Sequence, residues 1–327
     1  MTTIVTGATG FIGRHLVNAL AAQGEDVRCL TRGRPISDSR PNVSAHTVDY
    51  SRSDLGVSEK VLAGASRVFH LAGATREISA TGYRNANVAV TERLADRLIA
   101  LRERPRFIYV SSQAAAGPAR DAQHPKSETD ADAPIEDYGR SKLAAERAVA
   151  SRGGELPFTI IRPVAVFGPA DRDFLAIFAM ARRGVAIYPG IRHSSLNTIY
   201  VSDLVTGLIG AAQSGSSAGK TYYLGDDTVR PWTSIYSTIS EVVGQARTIE
   251  LSLPTSLIGA AGIAGDFVAS LIGKPSLVGK SKAILAKPKY WLCTSERARK
   301  DFGFSTPTSL RDGMRVTYDW YLQHRWL

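Results

Sequence analysis

Hydrophobic positions in the first half of the chain fall into short apolar runs that alternate with longer amphipathic stretches. The runs at residues 3–5 and 26–30 enclose residues 11–22, where apolar positions have helical spacing. This alternation predicts parallel strands joined by helices. Further strands are predicted at residues 43–48, 67–71, 106–110 and 158–162. We therefore expect an α/β fold with a doubly wound parallel Rossmann sheet and a smaller, mostly C-terminal substrate-binding lobe.

The first apolar run leads into the glycine-rich stretch TGATGFIG, residues 6–13. Gly7 permits a tight turn, Gly10 lets the backbone approach a pyrophosphate, and Gly13 lets the next helix pack closely on the strand. The N-terminus of that helix then faces the phosphates. We predict a dinucleotide-binding turn whose cofactor contacts come from Gly7, Thr9, Gly10, Phe11, Ile12 and Gly13.

The end of the second predicted strand bears on the choice of cofactor. An acidic side chain there would bond the ribose 2′-hydroxyl of NAD, but Thr31 and Arg32 occupy the position, followed by Arg34. A guanidinium fits a 2′-phosphate. The sequence therefore favours NADP(H), while NAD(H) stays open because Arg32 and Arg34 could also be solvated loop charges.

Candidate catalytic groups follow the fifth strand and begin a later helix. Tyr138 and Lys142 are four residues apart and share one helix face. A phenol with a pKa near 10 can act as general acid for a ketone if a nearby cation lowers that pKa, and we expect Lys142 to supply the cation. Ser112 lies at a strand end, where the ligand crevice forms, and is expected to orient the carbonyl.

These motifs, in this order and together with VFHLAG and RPVAVFGP, resemble the extended short-chain dehydrogenase/reductases of the NAD-dependent epimerase/dehydratase-like superfamily, over roughly residues 1–210. The resemblance implies Ser112, Tyr138 and Lys142 as the catalytic set, with Lys142 also holding the nicotinamide ribose. It implies further cofactor contacts from Asp49, Tyr50, Leu71, Ala72, Gly73, Asn87, Ser111, Pro163 and Val166.

Departures from the family narrow the expected reaction. Sugar-nucleotide dehydratases carry Asp and Glu where this chain has Gln113 and Ala114, and epimerases usually carry Tyr and Asn where it has Ala116 and Ala165. RPVAVFGP is more similar to the 3β-hydroxysteroid dehydrogenase and dihydroflavonol reductase branch, whose substrates are apolar and cyclic. We expect an NAD(P)(H)-dependent carbonyl reductase or secondary-alcohol dehydrogenase, with an NDP-sugar epimerase as the alternative. A nucleotide-sensing regulator would be expected to lack the catalytic Tyr and Lys.

The 327 residues, of which 44% are hydrophobic, are enough for one Rossmann domain and one lobe. We assign residues 1–168 to the Rossmann domain, completed by 197–214 and 232–250. The lobe is assigned residues 169–196, 215–231 and 251–327. The polar loop at 117–137 is expected to expose its acidic residues.

The net charge of +10 comes from dispersed Lys and Arg without a run of five, which argues against nucleic acid as a partner. Cys29 and Cys293 are expected to be reduced core residues of a cytoplasmic protein, since Met1 leads directly into the first strand. His70 lies within an apolar strand and is expected to be a core histidine, not a catalytic or metal-binding one.

Two predictions concern larger partners. In relatives, two helices per subunit make a four-helix dimer contact, so helices at 83–102 and 138–151 predict a homodimer. Residues 254–272 are small and apolar except for Asp266. We interpret this stretch as a helical roof over an apolar pocket, with contact to a membrane as the less favoured alternative.

Overall fold

The computed structural model describes residues 1–36, 38, 40–260, 262 and 280–327. Its strands are β1 (Thr2–Thr6), β2 (Asp26–Thr31), β3 (Val43–Thr47), β4 (Arg67–His70), β5 (Arg106–Val110), β6 (Phe158–Pro163), β7 (Ala165–Phe167), β8 (Val185–Pro189), β9 (Ser195–Leu196), β10 (Thr198–Tyr200), β11 (Lys220–Leu224), β12 (Arg230–Pro231), β13 (Ile249–Leu253) and β14 (Tyr290–Trp291). Its α-helices are α1 (Phe11–Ala22), α2 (Glu59–Leu62), α3 (Ala80–Tyr83), α4 (Val90–Ile99), α5 (Asp137–Ala150), α6 (Asp173–Arg182), α7 (Val201–Gln213), α8 (Trp232–Val242), α9 (Lys280–Leu285), α10 (Glu296–Phe302) and α11 (Leu310–Gln323), and a π-helix at Arg84–Ala89 joins α3 to α4.

Seven parallel strands form the central sheet, in the order β11-β6-β5-β4-β1-β2-β3. One face packs on α1 and α7 through residues such as Leu16, Leu20 and Leu208. The other face packs on α4 and α5 through residues such as Leu94 and Val149. Both faces of the sheet are covered, which explains why its strands are nearly continuous apolar runs. The predicted doubly wound α/β fold is confirmed.

Two elements differ from the domain assignment made from the sequence. β11, within the 215–231 range given to the lobe, pairs in parallel with β6 as the edge strand of the main sheet. Helix α8, given to the Rossmann domain, instead contributes Ile235 and Ile239 to a cluster with Phe178 of α6 and Met314 of α11. Both placements depend on contacts between segments far apart in the chain, which periodicity does not reveal. The other domain limits stay predictions.

The remaining short strands form small sheets next to the main one. β7 pairs with β10, β9 lies between β12 and β14, and β8 pairs with β13. Their core is aromatic and includes Phe174, Phe178 and Tyr321. Through these small sheets, segments from the C-terminal half of the chain lie next to the Rossmann domain.

The structure bears on the predictions for Cys29, Cys293, His70 and the apolar segment 254–272. Cys29 and Cys293 are free and buried, as predicted. His70 is fully buried, and its ring nitrogens are hydrogen-bonded to the hydroxyls of Thr6 (2.7 Å) and Thr91 (3.0 Å). Burial lowers its pKa to about 3. The prediction that His70 is a core histidine is therefore confirmed. Of the 254–272 stretch, residues 261 and 263–272 lie outside the described residues. Within the described part of the chain, no helix has both the length and the apolarity needed to cross a membrane.

Candidate active site

The predicted glycine turn packs closely on itself and on the loop that follows β4. Gly7 has φ of 71°, and a Cβ there would lie 2.8 Å from the Ala72 nitrogen. A Cβ on Gly13 would lie 2.1 Å from the Gly7 oxygen, so the start of α1 touches the turn. Gly10, at the N-cap of α1, has no side chain to bond the first helical N–H groups. The turn thus fits a diphosphate, which would accept hydrogen bonds from these groups.

Asn87 connects the cofactor edge to the catalytic helix. Its Oδ1 accepts a hydrogen bond from the Ala74 backbone nitrogen (2.7 Å), and its Nδ2 donates to Ser141 Oγ (2.8 Å) and to the Ala74 carbonyl (3.1 Å). A Cβ on Gly73 would lie 2.6 Å from the same Oδ1. Asn87 therefore holds the loop after β4 against α5, and its amide is already bonded on both sides.

The end of β2 has the charges expected from the sequence. Thr31 is buried, whereas Arg32 and Arg34 are exposed. Burial raises the pKa of the Tyr50 phenol to about 12, and the positive charge of Arg32 partly opposes this shift. Asp49 is exposed and accepts hydrogen bonds from the backbone and hydroxyl of Ser51 (2.9 and 2.6 Å).

Two segments carry the candidate catalytic residues Ser112, Tyr138 and Lys142. Ser112 follows β5, and its Oγ accepts a hydrogen bond from the Ala114 nitrogen (3.2 Å). Tyr138 begins α5, and Lys142 lies one turn further on. The Lys142 ammonium is buried, donates to the Val110 carbonyl (2.8 Å), and lies 4.6 Å from the centre of the Tyr109 ring. Ser112 and Tyr138 both line the cavity that is described below.

The expected effect of Lys142 on the phenol is not what the structure shows. Burial raises the pKa of Tyr138 to about 12, only partly offset by a hydrogen bond with the Ser112 side chain. Burial also lowers the pKa of Lys142 to about 8. Burial is the largest cause of both shifts, and the Lys142 ammonium donates to the Val110 carbonyl. The phenol therefore keeps its proton at neutral pH, which is the form a general acid needs.

Glu136 is a site residue that sequence reasoning missed. Its carboxylate caps α5 by accepting hydrogen bonds from the backbone nitrogens of Tyr138 (2.7 Å) and Gly139 (2.6 Å). It is 2% exposed and lines the cavity, and burial raises its pKa. The available signal was an acidic residue just before a predicted helix. The expectation that the acidic residues of 117–137 are solvated is thus wrong for Glu136, whereas Asp132 is exposed and pairs with Arg162 (2.7 Å).

The candidate catalytic residues Ser112 and Tyr138 line a cavity of about 580 Å³. Its wall is mostly apolar, with Ile78, Ala114, Val164, Ala165, Phe174, Ile177, Leu196, Trp232, Ile258, Leu285, Ala286, Pro288 and Trp291. The charged side chains on the described wall are Arg76, Glu77, Glu136 and Asp173, and Arg76 is paired with Asp173 at 2.6 Å. Within the described wall there is therefore no unpaired cation to bind a diphosphate.

The sequence pattern of the NAD dependent epimerase/dehydratase family matches residues 3–225. The chain is 31% identical to ceramide reductase of Caulobacter vibrioides (strain NA1000 / CB15N), over 99% of this chain and 95% of that protein. It is 28% identical to 2-alkyl-3-oxoalkanoate reductase of Stenotrophomonas maltophilia (strain K279a), over 96% of this chain and 98% of that protein.

A solved structure is similar along the whole chain. MoeE5, in complex with UDP-glucuronic acid and NAD, aligns with a TM-score of 0.78 and 25% identity, covering 100% of both chains. Together with the family pattern, this similarity supports a nicotinamide cofactor and an oxidoreductase or epimerase of the extended short-chain type.

Proposed function

The chain belongs to the NAD dependent epimerase/dehydratase family, and we propose that it is a nicotinamide-dependent ketone reductase acting on apolar substrates. The observation that carries this proposal is the cavity wall, which places Ser112 and a protonated Tyr138 in an apolar space whose described part has no unpaired cation. Such a space accepts an uncharged alkyl or ring substrate more readily than a nucleotide diphosphate.

In the proposed reaction, a bound nicotinamide supplies the hydride. The Ser112 hydroxyl and the Tyr138 phenol hold the ketone oxygen, and Tyr138 donates its proton as negative charge develops there. Burial keeps this proton on the phenol at neutral pH.

We further propose that NADPH is the preferred cofactor. The support is the exposed guanidinium of Arg32 at the end of β2, next to Thr31, where an NAD-specific site would have a carboxylate. Arg32 can pair with a 2′-phosphate.

The substrate class is proposed from the cavity together with the names of the relatives. One relative is a ceramide reductase and another reduces 2-alkyl-3-oxoalkanoates. The apolar wall of residues such as Ile177, Trp232 and Leu285 suits an alkyl chain. We therefore propose a ketone that carries a long alkyl chain, which shifts the sequence-based expectation away from a purely cyclic substrate.

An NDP-sugar epimerase is the second candidate, favoured by the similarity to MoeE5 with its UDP-glucuronic acid. The alanines at positions 116 and 165, where epimerases usually carry Tyr and Asn, weigh against it. The pairing of Arg76 with Asp173 does so too.

We also propose a homodimer through α4 and α5, which light scattering at micromolar concentration would test.

The experiment that separates the two reactions is the ratio of product formed to NADPH oxidised, measured with long-chain ketones and with NDP-sugars. A reductase consumes one cofactor per product, so we expect a ratio near one with the ketones. An epimerase returns the hydride to the same substrate. Turnover of an NDP-sugar without net cofactor oxidation would therefore contradict the proposal.

A further inference from the structure

Tyr109 is an aromatic residue of β5 that the reaction described above does not use. It lies on the strand that leads to Ser112, is fully buried, and belongs to the core between the sheet and helices α4 and α5. The Lys142 ammonium lies over its ring, 4.6 Å from the ring centre. A core side chain is thus in contact with a candidate catalytic charge.

Burial deprives the Lys142 ammonium of water. The residue is 5% exposed, and its ammonium donates a hydrogen bond to the Val110 carbonyl (2.8 Å). An ammonium loses its hydration on burial, which disfavours the charged form. An aromatic face attracts a cation, most strongly where water is excluded. The Tyr109 ring therefore offsets part of the cost that burial imposes on this charge.

The ring is itself held by a fixed neighbour. It stacks with the His70 ring at a distance of 5.8 Å between ring centres, and the His70 nitrogens are hydrogen-bonded to Thr6 and Thr91. Burial lowers the pKa of His70 to about 3, so His70 is uncharged at neutral pH and does not repel the ammonium. Packed in this way, the Tyr109 ring has little freedom to turn away from Lys142.

We propose that Tyr109 is a positioning residue for Lys142: its ring and the Val110 carbonyl together hold the ammonium at the end of β5 and stabilise its charged form. The catalytic importance of this contact rests on the proposed function, whereas the contact itself is present without substrate. Through it, the strand that leads to Ser112 also sets the pH range in which Lys142 is charged.

Glu146 and Tyr138 are the titratable residues one turn to either side of Lys142 on α5. The Glu146 carboxylate favours the charged form of Lys142 and is paired with Arg162 of β6 (2.5 Å). Tyr138 keeps its proton at neutral pH, because burial raises its pKa to about 12. These groups and His70 are the same in all the variants below, so a shift in the titration of Lys142 reports on the ring.

The test follows the titration of Lys142 by NMR, in protein labelled with ¹³C at the lysine ε-carbon and without substrate or cofactor. The Lys142 signal is the one that is missing from Lys142→Arg. In Tyr109→Leu, which removes the ring, we expect the midpoint to fall by about 0.5 to 1.5 pH units, the equivalent of a desolvated cation–π contact. In Tyr109→Phe, which keeps the ring, it should stay within about 0.3 units of the wild type.

Phe107→Leu is the matched control. Phe107 is also fully buried on β5 and stacks with His70 at 5.6 Å, but among the described residues no Lys or Arg lies over its ring. The variant loses an aromatic ring from the same core, two positions earlier on the strand. It should therefore leave the midpoint of Lys142 unchanged.

A second set of variants keeps the shape of the ring and covers the case in which Tyr109→Leu does not fold. Phenylalanine analogues with one, two or three ring fluorines are introduced at position 109. Fluorine withdraws electron density from the face of the ring with little change in its size, so the attraction to a cation weakens. The midpoint of Lys142 should fall stepwise with the number of fluorines.

The outcomes separate this inference from the function on which it rests. A midpoint that is unchanged or raised in Tyr109→Leu, or that does not follow the number of fluorines, would overturn the role of Tyr109 and leave the reductase proposal standing. If the midpoint falls as expected but no ketone consumes NADPH, the hold of Tyr109 on Lys142 stands and the reductase proposal fails. With a ketone that is reduced, the decline of kcat at high pH should begin earlier in Tyr109→Leu by the same shift, and KM for the ketone should change little.

Discussion

The cofactor edge and the substrate cavity reach their shapes through contacts of very different range. At the cofactor edge, the decisive contact joins Gly7 and Gly13, six residues apart, where a Cβ would lie 2.1 Å from a backbone oxygen. The cavity wall instead joins Ile78, Ala114 and Leu285, which come from remote parts of the chain. Close backbone contacts thus determine the shape of the cofactor edge. The shape of the cavity depends instead on side chains that can be substituted one at a time. The same fold can therefore keep its cofactor and change its substrate.

The largest expected effect is in the cavity and leaves the cofactor edge intact. Tyr138→Phe removes the phenolic proton donor but keeps the ring, so ketone reduction should fall by about 10²- to 10⁴-fold, the range for a general acid. NADPH affinity, measured by fluorescence titration, should stay close to wild type. A parallel loss of cofactor binding would show that the two regions are not separable at this residue.

The converse test acts on the cofactor edge alone. Arg32→Ala should weaken NADPH binding by about 1.5 to 3 kcal/mol, the range for a charge-assisted hydrogen bond, and leave NADH binding nearly unchanged. Arg34→Ala, which removes a second exposed guanidinium two residues further on, shows whether the loss is specific to Arg32. Tighter binding of NADH than NADPH by the wild type would remove the basis for the NADP(H) proposal.

The backbone packing of the cofactor edge can be tested through stability. Gly13→Ala forces a Cβ against the Gly7 carbonyl, so we expect a loss of about 1 to 3 kcal/mol in the free energy of unfolding, together with weaker NADPH binding. Gly154→Ala is the matched control, because a Cβ there meets nothing within 4 Å. Denaturant unfolding curves would measure both variants. Equal stability of the two would contradict the close contact inferred at Gly13.

The difference between the regions also explains what sequence reasoning could predict. Gly7, Gly13 and the sheet were predictable because short spacings and local periodicity encode them. Tyr138 and Lys142 were found because four residues make one helical turn. The pairing of β11 with β6 and the packing of α8 were missed because they depend on segments far apart in the chain.

Electrostatic details of the site were also beyond the sequence. The spacing placed Lys142 one helical turn after Tyr138, but it did not show that burial raises the phenol pKa or that the ammonium donates to the Val110 carbonyl.

Lys142 lies where the two regions meet, and its titration should limit the reaction at high pH. Burial lowers its pKa to about 8, so the ammonium is present below that pH and is lost as the pH rises through it. If the charge supports catalysis, kcat for reduction should be nearly constant from about pH 6 to 7.5 and fall about tenfold per unit well above pH 8. Tyr138, with a pKa near 12, does not titrate in this range.

The control is Lys142→Arg, because the guanidinium stays charged at high pH. This variant should be slower than the wild type but should not show the decline in kcat. A decline that persists in this variant would assign the titration to another group, and loss of activity on the acidic side would point to Glu136, which Glu136→Gln would then test.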